Sequence, residues 1–187
     1  MSWPPPPPLT PGGPLPTPTP AQVIPGKQEA AISSLVWTRD AVAGRWRLFS
    51  FGLDTNVVEW DLRCLQPRCV TSSLGGAVWD AAAQPSTSAH EDGVVVAIAA
   101  DDGAVRLLIA ETSVDGLQYK RSFARAECRA LSVAWSPDGA VVYAGYSDGC
   151  IRAHAIDSGE GWTGRAGGAP RNKAGSVYSH RRSHVSS

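Results

Sequence analysis

The amino-acid sequence predicts an all-β fold, and three observations support that prediction. Short apolar segments alternate with turn sequences between residues 30 and 158, and none keeps a helical i, i+3, i+4 spacing over ten residues. The turns suit β-strands, as in Ser136-Pro137-Asp138-Gly139, where proline presets φ and glycine accepts a left-handed conformation. The same landmarks recur at intervals of 48 and 46 residues. The predicted strands are 32–38, 47–51, 57–61, 68–73, 78–83, 94–100, 104–110, 118–123, 130–135, 141–145 and 151–156.

Two of the connections between these strands carry hairpin signals. Asp102-Gly103 and Asp148-Gly149 are typical of two-residue type I′ loops, in which both central residues adopt a positive φ. We therefore expect antiparallel strands to meet at these dipeptides, with Asp102 bracing its turn.

An internal repeat indicates the architecture. Asp54, Asp102 and Asp148 coincide when the three segments are aligned, and each is followed three places later by Val or Ile. Each unit contains a strand, a turn, a strand, the aspartate turn, a strand, a connection and a further strand. A period of about 40–50 residues with four strands is typical of a β-propeller blade.

Tryptophans mark the same units. Trp37, Trp79 and Trp135 each lie in the strand that opens a unit, and Trp60-Asp61 ends the third strand of the first unit. The Trp-Asp dipeptide at that place gives WD40 repeats their name, so the sequence predicts WD40-type blades. We expect the three strand tryptophans to pack in the core; the alternative is an aromatic stack for single-stranded RNA.

The number of units is lower than a closed propeller needs. The units cover residues 31–74, 75–124 and 125–158, and the third is expected to lack a convincing fourth strand because the sequence from Gly159 onward is glycine-rich and polar. Closed propellers have about four to eight blades. The sequence therefore predicts an incomplete propeller with two open blade faces.

Tails of unusual composition flank the units. Of the 15 prolines, 11 precede Gly26, so residues 1–30 are predicted to be an extended, disordered segment. Residues 159–187 read as a disordered basic tail rich in glycine and serine. Such a tail either contacts RNA phosphates non-specifically or has no role. The candidate RNA contacts are Arg165, Arg171, Lys173, Arg181 and Arg182.

Charge and hydropathy give no indication of a membrane protein, a secreted protein or a protein that binds nucleic acid through its net charge. The 17 basic and 17 acidic residues cancel, so net charge gives no reason to bind nucleic acid or an acidic membrane. The longest apolar stretch, Val94–Ala100, is far shorter than the ~20 residues of a membrane span, and no secretory signal pattern opens the chain. We expect no membrane partner.

The cysteines do not predict a metal or disulfide framework. None of the four forms a C-x-x-C pair, so a zinc site is not expected. Without a secretory signal, reduced thiols are expected, with Cys128 and Cys150 packed as small hydrophobic residues.

Motifs of catalysis or cofactor binding are weak. The glycines of 159–164 match G-x-G-x-x-G, but no helix-forming sequence follows them to hold a pyrophosphate. His90-Glu91-Asp92 lies in a polar loop, and Asp101 and Asp102 are adjacent, so on a strand they would point to opposite faces. We therefore expect no catalytic residue, cofactor or small-molecule substrate.

Several segments together resemble one WD40 family. The resemblance runs from Ser33 to Gly159, about two-thirds of the chain, and is to the cirhin family of U-three small nucleolar RNA-associated proteins. The segments that carry it are 47–53, 59–62, 74–79, 100–107, 119–123 and 129–139.

This resemblance implies a function. It implies a non-catalytic scaffold of the small-subunit processome, located in the nucleolus and linked to transcription of pre-ribosomal RNA. The implied partners are other processome proteins, with pre-ribosomal RNA or a small nucleolar ribonucleoprotein as further ones. Two alternatives stay open: a generic WD40 interaction module, and RNA binding through the basic tail.

Overall fold

The structure is a computed structural model that describes residues 31–40, 44–85, 93–112, 114–157, 161–165 and 171–172. These residues form three antiparallel sheets and contain no helix. Sheet one comprises β1 Ile32–Arg39, β2 Trp46–Gly52, β3 Asn56–Asp61 and β4 Gln66–Ser72. Sheet two comprises β5 Val78–Ala83, β6 Gly93–Ala100, β7 Val105–Glu111 and β8 Gln118–Ser122. Sheet three comprises β9 Ala130–Trp135, β10 Val141–Tyr146, β11 Cys150–Ala155, β12 Gly161–Arg165 and β13 Arg171–Asn172.

The eleven predicted strands are confirmed, each to within two residues at its ends. Within each sheet the strands follow chain order, so every sheet is a meander whose first strand lies at one edge. These first strands are neighbours: the Ser33 hydroxyl on β1 donates to the Val78 carbonyl on β5 (2.6 Å), and Val133 N–H on β9 donates to Asp80 on β5 (3.1 Å). This is the arrangement of consecutive blades in a partial WD40-type propeller.

The third sheet extends beyond its predicted end. β12 pairs with β11 from Cys150 opposite Arg165 to His154 opposite Gly161, and β13 pairs with β12. The expectation that the third unit lacks a fourth strand is therefore wrong. A free strand edge pairs through backbone N–H and C=O groups, which a glycine-rich polar segment supplies as well as an apolar one. The same pairing places Gly161 and Gly164 of the G-x-G-x-x-G match on a strand.

Other expectations fall outside the described residues. These are the proline-rich segment 1–30, the His90-Glu91-Asp92 loop, and the tail apart from β12 and β13. In the described parts of the chain no helical segment is suited to crossing a bilayer.

Sheet two is buried on both faces. One face joins β1–β3 of sheet one in a core that includes Phe49, Phe51 and Ile98. The other face joins sheet three in a second core that includes Leu107, Phe123 and Val142. Alternate residues of β6 enter the two cores, which explains why its sequence is continuously apolar. The longest apolar stretch of the sequence, Val94–Ala100, therefore lies between the two cores.

The hairpin turns differ from the predicted type. Gly103 N–H donates to the Ala100 carbonyl (3.0 Å), and Gly149 N–H donates to the Tyr146 carbonyl (3.0 Å). Positive φ occurs at Gly103 (83°) and Gly149 (76°) but at neither of the two residues before each glycine. A turn closed by one left-handed residue is a three-residue loop, whereas a type I′ turn needs two such residues. The aspartate in each loop therefore keeps an ordinary backbone conformation.

A buried ion pair joins sheets one and two. Arg47 on β2 and Glu59 on β3 meet through two hydrogen bonds of 2.9 and 2.7 Å, and both side chains are 2% exposed. Arg47 also donates to the carbonyls of Glu111, Val114 and Gly116, while Glu59 accepts the Gly116 N–H (2.6 Å). Because every charge has several partners, the β7–β8 connection of sheet two is held against sheet one.

We predict that Leu107→Ala lowers the free energy of unfolding by about 2–5 kcal/mol, because it leaves a cavity in a closed core. Leu107 is 0% exposed, whereas Leu53 is 41% exposed and provides a matched control. Leu53→Ala should change stability by only about 0.5 kcal/mol. Urea unfolding followed by circular dichroism measures both; equal losses would contradict the assignment of the core.

The ion pairs on the β7–β8 connection provide a second comparison. We predict that Arg47→Met costs about 3–5 kcal/mol, because it leaves the Glu59 carboxylate buried without its partner. Arg68 pairs with Asp115 of the same connection at 2.8 Å, but with 29% and 52% side-chain exposure. Arg68→Met should therefore cost about 0–1 kcal/mol in the same urea titration. A larger loss for Arg68→Met would show that the buried pair does not hold the connection.

Candidate interaction surface

The repeated aspartates occupy equivalent turns, as the alignment of the units predicts. Each carboxylate accepts a hydrogen bond from the backbone N–H two residues later: Asn56 for Asp54 (3.3 Å), Ala104 for Asp102 (3.1 Å) and Cys150 for Asp148 (3.0 Å). These are Asx turns, in which the side chain replaces a backbone acceptor. The expectation that Asp102 braces its turn is confirmed.

Two of these aspartates also bind an arginine four residues later. Arg106 forms two hydrogen bonds to Asp102, and Arg152 forms two to Asp148, the shorter at 2.7 Å. In sheet one Val58 stands in the arginine position, and Asp54 instead accepts from the Asn56 amide (2.7 Å). Sequence reasoning missed these pairs, although the repeated pattern Asp-Gly-x-Val/Ile-Arg is visible in the chain.

The turn aspartates favour the ionised form. Burial opposes ionisation of Asp102, but hydrogen bonds from Arg106 and Ala104 together with the nearby charges outweigh it and lower its pKa. The hydrogen bond from Arg152 is the main reason that the pKa of Asp148 lies well below the usual range. Both carboxylates are thus charged at neutral pH and hold their arginines in place.

Trp60 and Asp61, the Trp-Asp dipeptide, form hydrogen bonds within sheet one and the turn that follows β3. Trp60 donates its indole N–H to the Ser50 hydroxyl on β2 (2.8 Å), which ties β3 to its neighbour. Asp61 accepts the Arg63 N–H (2.9 Å), and this backbone hydrogen bond is the largest cause of its lowered pKa. The two residues close the end of β3 in sheet one.

Two of the three strand tryptophans, Trp37 and Trp135, are in equivalent positions, and Trp79 is not. Trp37 pairs with Leu48 and Trp135 pairs with Val142, each partner six residues before the repeated aspartate of its unit. In sheet two that position belongs to Ala83, which pairs with Val96. Trp79 lies instead at the irregularity near the start of β5, four residues earlier.

Burial also separates the tryptophans. Trp135 packs against the core between sheets two and three and donates to the Ala82 carbonyl (2.9 Å). Trp79 is partly buried and donates to Asp101 (3.0 Å). Trp37 is 50% exposed, so the expectation that it packs in the core is wrong. It lies on the face of sheet one that no described sheet covers, where its ring lies edge to face with that of Trp46 at 6.4 Å.

An open cleft of about 770 Å³ lies at the turn ends of sheets two and three. Its wall brings together the β6–β7 turn, the β8–β9 connection and the β10–β11 turn, including Asp101, Arg125, Glu127, Arg129 and Ser147. Arg129 is the outward-facing member of an ion pair with Asp101 (3.0 Å), with 60% side-chain exposure. Charges of both signs line the cleft. Such a surface suits a polar protein segment better than a run of RNA phosphates, which a uniformly basic groove would favour.

The structure describes two of the five candidate RNA contacts. Arg165 lies on β12 opposite Cys150, and Arg171 lies on β13 opposite Thr163, whereas Lys173, Arg181 and Arg182 fall outside the described residues. Cys128 lines the cleft and is partly buried, like Cys150. Among the described residues no three His, Cys, Asp or Glu side chains form a group that could hold a metal ion.

Comparison with known proteins places this arrangement in a family. The chain is 33% identical over 125 residues to the human U3 small nucleolar RNA-associated protein 4 homolog, and 34% identical to the mouse protein over the same length. The yeast U3 small nucleolar RNA-associated protein 4 is 33% identical over 131 residues, 70% of this chain. The chain belongs to the cirhin family over the matched part of its length. It spans only 16% of the human, mouse and yeast relatives.

Solved structures support the fold. A chain in the crystal structure of an active polycomb repressive complex 2 in the basal state matches 71% of this chain with a TM-score of 0.58 and 20% identity, over 27% of its own length. A chain of the Chaetomium thermophilum polycomb repressive complex 2 matches 69% with the same TM-score and identity, over 26% of its own length. No protein-family model matches the sequence. At this identity the likeness concerns the fold alone.

The lowered pKa of Asp102 predicts that the stability of the fold depends on pH. Because its pKa is lowered on folding, its stabilising effect is complete above the ordinary value of 3.8 and is lost as the pH falls through the folded value. The difference in urea midpoint between the unchanged chain and Asp102→Asn should therefore shrink as the pH falls from about 7 to about 2.

Asp115→Asn is the control for this titration, because that side chain is 52% exposed and its ion pair with Arg68 is screened by water. The difference in urea midpoint between the unchanged chain and Asp115→Asn should be small over the whole pH range. A difference for Asp102→Asn that stays constant with pH would contradict the role of the ionised pair.

Proposed function

We propose that this chain is a non-catalytic scaffold in U3-associated processing of pre-ribosomal RNA, acting in the nucleolus and linked to pre-ribosomal RNA transcription. The observation that carries the proposal is the 33–34% identity to U3 small nucleolar RNA-associated protein 4 relatives over about two-thirds of the chain. The arrangement of polar groups also supports it, because the charged residues described above brace turns and join sheets. The proposed partners are other proteins of the small-subunit processome.

The mixed-charge cleft is the proposed contact surface. Its wall is preorganised: Trp79 and Arg129 both bind Asp101, and Arg106 fixes Asp102 beside it. The Ser147 hydroxyl accepts the Arg129 N–H (3.1 Å), which ties sheet three to the same wall. A surface held in this way binds a partner at a lower cost in conformational entropy than a loose one.

Co-purification tests the proposal. The full chain carrying an affinity tag is expressed in human cells, and the bound proteins are identified by mass spectrometry against the tag alone. We expect U3-associated proteins to dominate the enriched set. An enriched set without them would overturn the proposal in favour of a generic WD40 interaction module.

A pair of charge reversals tests the cleft. Arg129→Glu should remove the U3-associated proteins from the enriched set, because it places like charges beside Asp101. Arg63→Glu is the matched control: Arg63 also pairs with an aspartate, at 3.6 Å, is 80% exposed and lies away from the cleft. Equal losses in the two variants would exclude the cleft as the contact.

The basic tail is tested separately. Removal of residues 173–187 takes away Lys173, Arg181 and Arg182 but keeps β12 and β13, so the third sheet is left intact. We expect the enriched proteins to persist after this truncation and after ribonuclease treatment. Loss under both treatments would show that the association runs through RNA bound by the tail.

A further inference from the structure

The connection between sheets one and two holds an exposed leucine beside the cleft. Leu74 is 58% exposed and has a φ of 60°, a left-handed conformation that glycine adopts without strain and leucine does not. Ser73, which is 0% exposed, fixes this segment: its N–H donates to the Thr55 carbonyl (2.9 Å) and its hydroxyl donates to the Gly76 carbonyl (2.6 Å). Strained backbone that its surroundings hold in place is found at binding surfaces.

A second leucine shows what is unusual about Leu74. Leu65 has the same left-handed conformation, with a φ of 57°, in the β3–β4 turn at the opposite end of sheet one, but its side chain is partly buried. An exposed leucine in this conformation stabilises neither its turn nor a core. Contact with a partner is therefore the role that the position of the Leu74 side chain allows.

Asp102 connects the Leu74 segment with the cleft. Its N–H donates to the Gly75 carbonyl (3.4 Å), and its own carbonyl accepts a hydrogen bond from Nε of Arg125. Leu74 and Arg125 thus lie on either side of the β6–β7 turn. The chain then runs through Glu127 towards sheet three, so the order along this surface is Leu74, Arg125, Glu127.

Two charges on this surface are not neutralised. Asp101 and Asp102 are each paired with an arginine. Arg125 and Glu127 are both exposed and line the cleft, and neither forms an ion pair with another residue in the part of the chain that the structure describes. The hydrogen bond of Arg125 to a carbonyl uses only Nε, so both Nη groups face solvent chemistry that a partner can replace.

We infer that this surface binds a segment of a partner protein in which an apolar, an acidic and a basic side chain follow one another. The apolar side chain contacts Leu74, the carboxylate binds the guanidinium of Arg125, and the cation pairs with Glu127. RNA fits this pattern less well, because its phosphates would be repelled by Glu127. The inference rests on the cleft being the contact surface proposed above and adds the chemistry of the segment that occupies it.

Cross-linking tests the acidic position. The tagged full chain carrying Arg125→Lys is purified from human cells with its partners and treated with a water-soluble carbodiimide, which joins a lysine amine to a carboxylate in contact with it. Mass spectrometry should find the introduced amine linked to a partner acid, with an apolar residue on one side of that acid and Lys or Arg on the other, each within about four residues. Arg63→Lys is the control, since Arg63 is 80% exposed and lies away from the cleft, and it should give no link to that segment.

Recovery of the linked protein tests the other two positions. Leu74→Asn should lower it at least about fivefold, because asparagine keeps the left-handed backbone and removes the apolar contact. Leu65→Asn is the matched control and should leave recovery unchanged, with circular dichroism confirming that both variants keep their β-sheets. Glu127→Lys should lower recovery at least about tenfold, because it places like charges together.

The identity of the linked segment separates this inference from the proposed function. A segment with the expected pattern in a protein unrelated to U3 supports the inference and overturns the proposed function. Recovery of U3-associated proteins that is equal for the unchanged chain, Leu74→Asn and Glu127→Lys overturns the inference alone. Absence of any link to a partner acid, or loss of the link after ribonuclease treatment, which would assign the surface to RNA, also overturns it.

Discussion

Burial of sheet two on both faces is the constraint on which the rest of the structure depends. A single sheet with two apolar faces is not soluble by itself, so sheets one and three must cover it before either face is stable. The small residues Ala97, Ala99 and Ala100 let β6 approach its neighbours closely, and all three are 0% exposed. Because both faces of sheet two must be covered, sheet two lies between sheets one and three, with the edge strands β1, β5 and β9 next to each other.

Polar interactions fix the geometry that apolar burial leaves free. Hydrophobic packing is non-directional, whereas the Arg47–Glu59 pair and the Asp-Arg pairs of the turns require one arrangement of strands and loops. Arg47 aligns the outer part of the first junction, and Asp80 aligns the second by accepting a hydrogen bond from Val133. The β6–β7 turn forms part of the cleft wall and is held in place by hydrogen bonds from Trp79 to Asp101 and from Arg106 to Asp102.

The two outer sheets differ from sheet two in what they leave exposed. Sheet one presents Leu35, Trp37 and Trp46, while sheet three presents Ile151, so the apolar surfaces lie at opposite ends of the array. The charged cleft lies between sheets two and three, away from the sheet-one face.

The sequence by itself determined the strands, the repeat and the turn aspartates, because alternation of apolar residues and the demands of Asx turns act over a few neighbouring residues. It also predicted the family through local segments. Only the tertiary structure decided that Trp37 is exposed while Trp135 is covered, since equivalent positions acquire different surroundings from distant sheets. The pairing of β12, the burial of Arg47 against a connection 64–69 residues away, and the cleft likewise arise from contacts between distant parts of the chain. Local patterns do not encode which distant groups will meet, because that is settled by how the sheets pack.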